Sequence, residues 1–566
     1  MQDNFDKLNE IINLKDMLNK TTLNHKNKIA YKIKLAEKKY QTYTYEELGE
    51  IVNSLGTSLI DMGLKNKRIA IIGENCFEWE ISYLAITCGT GIAVPLDKML
   101  PENELKKVLQ KSKAEAIFCS GSYVEVLNKI KDKTKIKYII SFDKVNDSNI
   151  NYQKYLIESG KELLKDGNSK FLEAEIDENK MAIMLFTSGT TSKSKVVALS
   201  HQNICINLMD LNNLLNIDEN DIFLSVLPLH HVFECTVGFL FPLYKGSQIT
   251  FSSGLRHIVD DLKEYNVSVM ASVPAIYESI FKILIKHLKK EGKLDEVMKD
   301  MEEYRELEPL SKKDKFKDIQ DFIGNNIKLF ISGAASLNQN VEKKFRLLGI
   351  NIMQAYGLTE TSPVVAISTN NKYRLGSVGK VVPSMEAKIV NKNEDGIGEL
   401  VVKGKNVMLG YFGNKMLTNE AIVDNWFHTG DLAKIDEDGF IFICGRKKNT
   451  IVLNNGKNIY PEEIESLVNS IDGVKESFIF GKPVVEGNSD IKLNVKIVYD
   501  KKIMKNTYHI EDSDDIYDFL QEEIRKINKN IPRYKMIKGI IITEEPLIKT
   551  TTNKLKRQEN LLAVIN

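Results

Sequence analysis

The chain has 566 residues, 43% hydrophobic and 27% charged, with a formal net charge of +1. That length accommodates several domains of roughly 150 residues, and the composition is ordinary for a globular protein with large cores. A charge this close to zero excludes the strong field that gathers nucleic acid and leaves at most peripheral contact with a membrane. No uninterrupted apolar run approaches the ~18–20 residues of a spanning helix. The N-terminus, MQDNFDKLNE, is polar and mixed in charge, unlike a signal peptide. The six cysteines show no metal-ligand spacing and mostly sit among apolar neighbours, which fits a reducing cytoplasm.

In chain order, the first strong pattern is YTYEELGEIVNSLGTSLIDMGL. Leu48, Ile51, Val52, Leu55, Leu59 and Ile60 recur at helical spacing, and Gly63 stops the helix. RIAIIGEN (68–75) reads as a strand, CFEWEISYLAITCGT as a helix and GIAVPLD (91–97) as the next strand. This alternation, repeated at AEAIFCS and KYIISFD, predicts a parallel sheet with helices packed on it. Residues 143–178 are rich in Lys, Asn and Asp and read as a surface connection.

The stretch Leu185–His201, LFTSGTTSKSKVVALSH, combines hydroxyls, a glycine and lysines in one loop. Met181–Phe186 before it and Val196–Ser200 after it are apolar, so the loop joins two strands as a hairpin. Backbone N–H groups in such a turn form a nest for anions. The Gly-Lys-Ser/Thr ending of a Walker loop is absent. Further strands follow at DIFLSVLPLHH, SQITFSS and VSVMASVPA. Residues 280–321 carry interspersed charges over a helical apolar spacing, which reads as a solvated helical face. IKLFISGAAS (327–336) and NIMQAYGLTETS place small and polar residues at the ends of strands, where ligands bind in open α/β sheets. From Ser377 short β runs broken by Gly, Asn and Asp suggest a small barrel or distorted sheet. After GRKK (445–448) a compact α+β segment begins, and its length of about 120 residues suits an independent domain.

TSGTTSKSK resembles the phosphate loop of the AMP-forming adenylating superfamily, usually TSGTTG-x-PKG. LPLHHVFE (227–234), SGAASL (332–337), QAYGLTETSP (354–363), HTGD (428–431), GRKKNTIVLNNGKNIYPEEIE (445–465) and KTTTNKLKR (549–557) follow in the family's order. Within the superfamily the chain resembles long-chain fatty acid–CoA ligases most. The resemblance implies an α/β fold: a large N-terminal domain, 1–446, of parallel-rich sheets packed with helices plus a small β-rich subdomain, then a small mobile α+β domain, 447–566.

The resemblance also implies an acid–thiol ligase that uses ATP, Mg²⁺ and CoA. A fatty acid would become acyl-AMP and pyrophosphate, and the acyl group would pass to CoA. An acyl carrier protein as the acceptor, or an aryl acid as the substrate, are the alternatives. Such chemistry needs no general base, because the attacking carboxylate is already an anion. The protein must gather anions, offset their charge and align them.

By the same resemblance Thr187, Ser188, Gly189, Thr190, Thr191 and Lys195 grip the triphosphate. Gly333, Ala334 and Ala335 form the adenine turn, beside Gln354, Ala355 and the stacking residue Tyr356, with Gly357 next to it. Thr359 and Glu360 meet phosphate and Mg²⁺, and Thr187 with Glu360 forms the metal set. Asp431 accepts from the ribose hydroxyls and Arg446 adds a second ribose or phosphate contact. His231 lies beside the acyl site, with Glu360, Thr187 and Lys554 also in the catalytic set. Lys448 marks the pivot of the mobile domain, Gly456 belongs to the thiol-channel loop, and Lys554 reaches the acyl carboxylate. The sequence departs from the family pattern at Ser192, Ser194, Val196 and Asn553. In the run VFECTVGFLFPLY (232–244), Gly238 is expected to leave room for an acyl chain.

Overall fold

The computed structural model describes residues 10–187, 195–305, 312, 314–369, 372–453, 457–483, 491–549 and 555–565. The chain divides into two compact units, Met1–Glu386 with Val402–Phe427, and Ala387–Val401 with His428–Asn566. The expected boundary at 446/447 falls inside the second unit.

Two large sheets build the first unit. One runs Gly410–Tyr411, Lys195–Ser200, Met181–Thr187, Gly91–Pro95, Lys67–Ile72, Ala116–Cys119, Tyr138–Ser141, Asn151–Tyr152 in spatial order. The other runs Lys380–Val381, Val364–Ile367, Ile352–Gly357, Leu329–Ser332, Val269–Ser272, Ile222–Ser225, Gln248–Phe251, Ile29–Ala36, Lys39–Thr44. Their central strands are parallel, as the strand–helix alternation predicts. Antiparallel pairs lie at three of the four edges, among them the expected hairpin of Met181–Thr187 with Lys195–Ser200, while Asn151–Tyr152 pairs parallel with Tyr138–Ser141. Burial on both faces explains why the parallel strands read as short continuous apolar runs.

The helix Tyr45–Asp61 shows how local and tertiary signals agree. Glu47 N–H donates to Thr44 Oγ1 at 3.2 Å while Thr44 N–H donates to Glu47 Oε2 at 2.7 Å, a reciprocal cap. Leu48, Val52, Leu55 and Leu59 are fully buried along one stripe.

Residues 143–178, expected to be a surface connection, contain a helix instead, Gln153–Lys165. Its Lys- and Glu-rich outer face hides a narrow buried stripe. Gly160 faces the helix Tyr45–Asp61 so closely that a Cβ there would lie 1.8 Å from Ser54 O. Ser58 Oγ donates to Leu156 O at 2.6 Å across the same seam, and buried Gln153 donates to Ser82 Oγ at 2.7 Å.

The second unit carries a three-stranded sheet. Val474–Pro483 pairs antiparallel with Ile491–Tyr499, which pairs parallel with Ile537–Thr543. Helices Pro461–Asn469 and Ser513–Lys529 contribute Ile464, Val468, Leu520 and Ile524 to a core with Val495 and Ile497. Of the β runs after Ser377, Met385–Val390, Gly398–Gly404, Ile422–Val423, Trp426–Ile435 and Ile441–Arg446 form a five-stranded sheet, in which the last two are antiparallel.

Because backbone fills the space at Gly160, Gly160→Ala is expected to destabilise the first unit by about 2 kcal/mol or more. A lowered midpoint in thermal unfolding, followed by circular dichroism, checks this; an unchanged midpoint would contradict the close approach.

Candidate active site

In the first unit the predicted residues gather at strand ends. Thr187 closes one strand and Lys195 opens the next as its direct cross-strand partner, with Thr187 Oγ1 donating to Lys195 O at 3.4 Å. Ser188, Gly189, Thr190 and Thr191 lie outside the described residues. Lys195 Nζ stands 3.4 Å from Tyr411 Oη and 4.7 Å from the centre of its ring. Tyr411 in turn donates its hydroxyl to Glu360 Oε1 at 2.9 Å. Burial first, then the neighbouring Glu360 carboxylate, holds the phenol well above its ordinary pKa, so it stays a donor.

Glu360 sits in the short turn Thr359–Thr361 after the strand Ile352–Gly357. Its carbonyl accepts from Met408 N–H at 2.8 Å, and Thr361 Oγ1 ties the turn by donating to Pro363 O at 2.6 Å. Gly357 is required there, since a Cβ would lie 1.9 Å from Pro363 O. Tyr356, Gly357, Thr359 and Glu360 are all half-buried.

Gly333, Ala334 and Ala335 follow directly on the strand Leu329–Ser332. Ala334 adopts φ 68°, a left-handed conformation, and Ala334 and Ala335 are exposed. Gly333 is buried under the Phe233 ring, so close that a Cβ would meet Cζ at 2.7 Å. Gln354 does not reach outward. Its Nε2 donates to buried Glu342 Oε2 at 2.8 Å and its Oε1 accepts from Leu337 N–H at 3.2 Å. It therefore ties the end of the small-residue turn to the next strand. Ala355 is buried beside it.

His231 directly precedes the helical segment that runs from Val232 through Glu234–Leu240, a π-helix, into Phe241–Lys245, and its carbonyl accepts from Cys235 N–H at 2.9 Å. The His230 ring lies 4.7 Å from that of His231, with its Nε2 3.8 Å from Asp97 Oδ1. Burial, then the adjacent His231, pushes the His230 pKa down. The loop leading here is clamped from both sides. Asn75 Nδ2 donates to Leu227 O at 2.6 Å and to Ser225 Oγ at 3.0 Å, while Leu229 N–H donates back to Asn75 Oδ1 at 3.2 Å. Glu234 Oε1 accepts from Ser225 Oγ at 2.7 Å and from Val226 N–H at 3.2 Å. The space above Gly238, expected to receive an acyl chain, is taken by the Glu234 carboxyl, 2.7 Å from where a Cβ would stand.

In the second unit Asp431 and Arg446 face each other across an antiparallel pair, with Arg446 Nε 3.1 Å from Asp431 Oδ1. Asp431 is buried and Arg446 half-buried. Beside them Glu399 Oε2 accepts from Lys447 Nζ at 2.9 Å and lies 3.3 Å from His428 Nδ1. Burial raises the Glu399 pKa, but Lys447 and then His428 outweigh it and hold the carboxyl below its ordinary range. Lys448 lies in the turn Lys447–Asn449. Gly456 and Lys554 lie outside the described residues.

Residues 18–412 match the AMP-binding enzyme family. The chain belongs to that family. Within this adenylating superfamily, Long chain acyl-CoA synthetase 3 of Arabidopsis thaliana is 28% identical, covering 92% of this chain and 86% of the relative. Long-chain-fatty-acid–CoA ligase of Salmonella typhimurium is also 28% identical, over 88% of this chain and 86% of its own. Among solved structures, ATP-bound MatB from Rhodopseudomonas palustris superposes with a TM-score of 0.76 at 23% identity, covering 98% of both chains. The anthranilate CoA ligase AuaEII in complex with anthranoyl-AMP gives 0.77 at 18% identity, over 97% of both chains. These two likenesses establish the adenylating fold.

A magnesium ion at this place would need oxygen donors from a bound nucleotide as well as from the chain. Glu360 and Thr187 offer one carboxylate and one hydroxyl, oxygen donors suited to a hard cation. Among the described residues no group of three or more His, Cys, Asp or Glu side chains gathers to hold a metal. Phosphate oxygens and water would complete such a shell. Tyr411, Glu234 and Asn75 were missed from sequence. Tyr411 belongs to a two-residue strand, Gly410–Tyr411, too short to show periodicity.

Glu234 gives a pH signature. It is fully buried, and burial pushes its pKa from an ordinary 4.5 up to about 8. Between those values the folded chain holds a proton that the unfolded chain has lost, so this contribution to stability falls as pH rises through the window. Glu234→Gln cannot ionise and should remove that fall. Relative to the parent, the variant is expected to gain up to about 4 kcal/mol between about pH 5 and pH 8. Urea unfolding across that range checks it, and parallel curves for the two proteins would refute it.

Proposed function

We propose that this AMP-binding enzyme is an acid–thiol ligase that activates a fatty acid with ATP and transfers the acyl group to CoA. In the first step a carboxylate oxygen bonds to the α-phosphorus and the bond to pyrophosphate breaks. In the second, the CoA sulfur bonds to the acyl carbon and AMP leaves. The observation that carries this reading is the 28% identity with long-chain enzymes over 92% of the chain. The Lys195–Tyr411–Glu360 grouping supports it, since it holds a cationic donor and a carboxylate about one phenol hydroxyl.

Thr187, Lys195 and the loop between them would bind the triphosphate. Gly333, Ala334, Ala335 and Tyr356 would receive the base, and Asp431 with Arg446 the ribose. Glu360 and Thr187 would hold magnesium, which when bound offsets phosphate charge. His231 would face the acyl carboxylate. All six cysteines are unpaired, which supports a cytoplasmic setting. Among the described residues no helix is long and apolar enough to cross a membrane.

The aryl-acid reading draws on the fold shared with the anthranilate ligase. The fatty-acid reading draws on closer sequence identity and on the apolar run Val232–Tyr244 that follows His231 directly. Each methylene buried in an apolar tunnel gains about 0.8 kcal/mol. Across saturated acids from acetate to palmitate, kcat/KM for acid-dependent ATP–pyrophosphate exchange should therefore rise to a maximum at a medium or long chain. Preference for acetate or benzoate would overturn the substrate class and leave adenylation standing. CoA and acyl carrier protein offered in parallel identify the thiol acceptor.

We assign adenylation to Lys554 and a change of orientation near Lys448 to the thiol step, because one site must present different residues to two half-reactions. Lys554→Ala should abolish pyrophosphate exchange and spare thioester formation from supplied acyl-AMP. Lys448→Pro, which fixes φ and restricts Lys447, should do the reverse. Both half-reactions failing together in either variant would refute this division.

A further inference from the structure

The geometry points to Tyr411 as a positioning residue that keeps Lys195 and Glu360 hydrogen-bonded and separate, ready for a magnesium-bound triphosphate. This rests on the reading of Lys195 and Glu360 given above and adds to it a residue, and a property, that the motif residues do not include.

Lys195 and Glu360 carry opposite charge and approach the same small region of the first unit. Left alone, an ammonium and a carboxylate so placed would pair directly, and a direct pair offers less charge to an incoming phosphate or cation. One phenol intervenes. Its hydroxyl donates to Glu360 Oε1 at 2.9 Å, while its oxygen lone pairs face Lys195 Nζ at 3.4 Å. A hydroxyl is the group that can donate to an acid and accept from a base at once. The ring adds a second hold, with Nζ 4.7 Å from its centroid.

The backbone fixes this arrangement. Tyr411 pairs antiparallel with Val197 in the strand that Lys195 opens. Lys195 and Val197 lie on one face of that strand, so Tyr411 and Lys195 are diagonal neighbours, a separation that aromatic and long side chains span. Phe412 N–H donates to Val196 O at 2.7 Å and Leu409 N–H to Ala198 O at 3.0 Å, on either side of the pair. Tyr411 N–H itself donates to Thr418 Oγ1 at 2.9 Å. Met408, three residues earlier, binds the Glu360 carbonyl, so one short stretch of chain touches both the backbone and the side chain of the acid. Tyr411 is 6% exposed, so its hydroxyl has little water to turn to.

Tyr411→Phe tests this in the full chain, because it keeps the ring and deletes only the hydroxyl. ATP binding to wild type and variant is measured by calorimetry, once with Mg²⁺ and once with EDTA, together with KM for ATP, KM for the acid and the thermal midpoint. The expected result is about a tenfold weaker binding of ATP with Mg²⁺, the scale of losing a hydrogen bond to a charged group. The loss with EDTA should be clearly smaller, because Glu360 acts through the cation. KM for ATP should rise in step, with KM for the acid and the thermal midpoint unchanged. A variant that matches wild type with Mg²⁺, or that loses ATP affinity equally with Mg²⁺ and with EDTA, overturns the inference alone. A rise in both KM values with a lowered midpoint overturns it in favour of a purely structural tyrosine. Failure of the wild type to bind ATP with Mg²⁺ would overturn the reading of the site and this inference with it.

Discussion

The register of one strand constrains the chemistry of the first unit. Lys195–Ser200 is paired on both sides, with Met181–Thr187 along one edge and Gly410–Tyr411 along the other. The first pairing sets Thr187 opposite Lys195 and so fixes the two ends of the hydroxyl-rich loop. The second places a buried phenol diagonally across from the lysine. A shift of one residue in either ladder would turn Lys195 to the other face of the sheet. Position is thus held by backbone hydrogen bonds, which leaves the charged side chains available for chemistry.

A second layer of support lies beneath the strand ends. Ser225, Ser272 and Ser332 close three neighbouring parallel strands and are all buried. The segments that follow them are tied by buried polar groups. Asn75 and Glu234 clamp the residues before His231. Gln354 and Glu342 fasten the turn that begins at Gly333. Phe233 packs on Gly333, so the histidine loop and the small-residue turn share a contact. Buried polar groups of this kind are costly unless satisfied, and once satisfied they specify one geometry.

The second unit relies on ion pairs at its C-terminal end. Arg557 Nη1 and Nη2 reach Glu465 Oε1 and Oε2 at 2.9 and 2.5 Å, and Glu465 Oε1 also accepts from Ile479 N–H at 2.8 Å. Lys549 Nζ pairs with Glu476 Oε1 at 2.7 Å. On one side of 550–554 Lys549 is therefore fastened to the strand Val474–Pro483, and on the other Arg557 to the helix Pro461–Asn469 that packs on it. Breaking one partner of the mostly buried Arg557–Glu465 pair would leave an uncompensated charge, which costs several kcal/mol in general.

Much of this was legible in the sequence. The helix through Leu48 and Leu59, the parallel strands and the hairpin of Met181–Thr187 with Lys195–Ser200 follow from periodicity and from short-range residue chemistry, and the order of the adenylating motifs from the resemblance to that superfamily. Those signals are local, and the chain states them directly. What tertiary structure decided is of another kind. The helix Gln153–Lys165 was hidden because its buried stripe is narrow and matters only against Ser54 and Ser58. Gln354 looks like a ligand contact in QAYGLTETSP, yet its amide is used by Leu337 and Glu342, partners that only packing brings near. Gly238 looks like open space, yet a carboxyl from its own helix fills it. Tyr411 carries no periodic signal, and it meets Lys195 and Glu360 only because the strand paired with Lys195–Ser200 also reaches the turn Thr359–Thr361, which follows a strand of the other large sheet. Residue types and spacing determined which chemistry the chain can perform; the folding of distant segments onto one another decided which groups remain available for it, because hydrogen bonds and close contacts are exclusive.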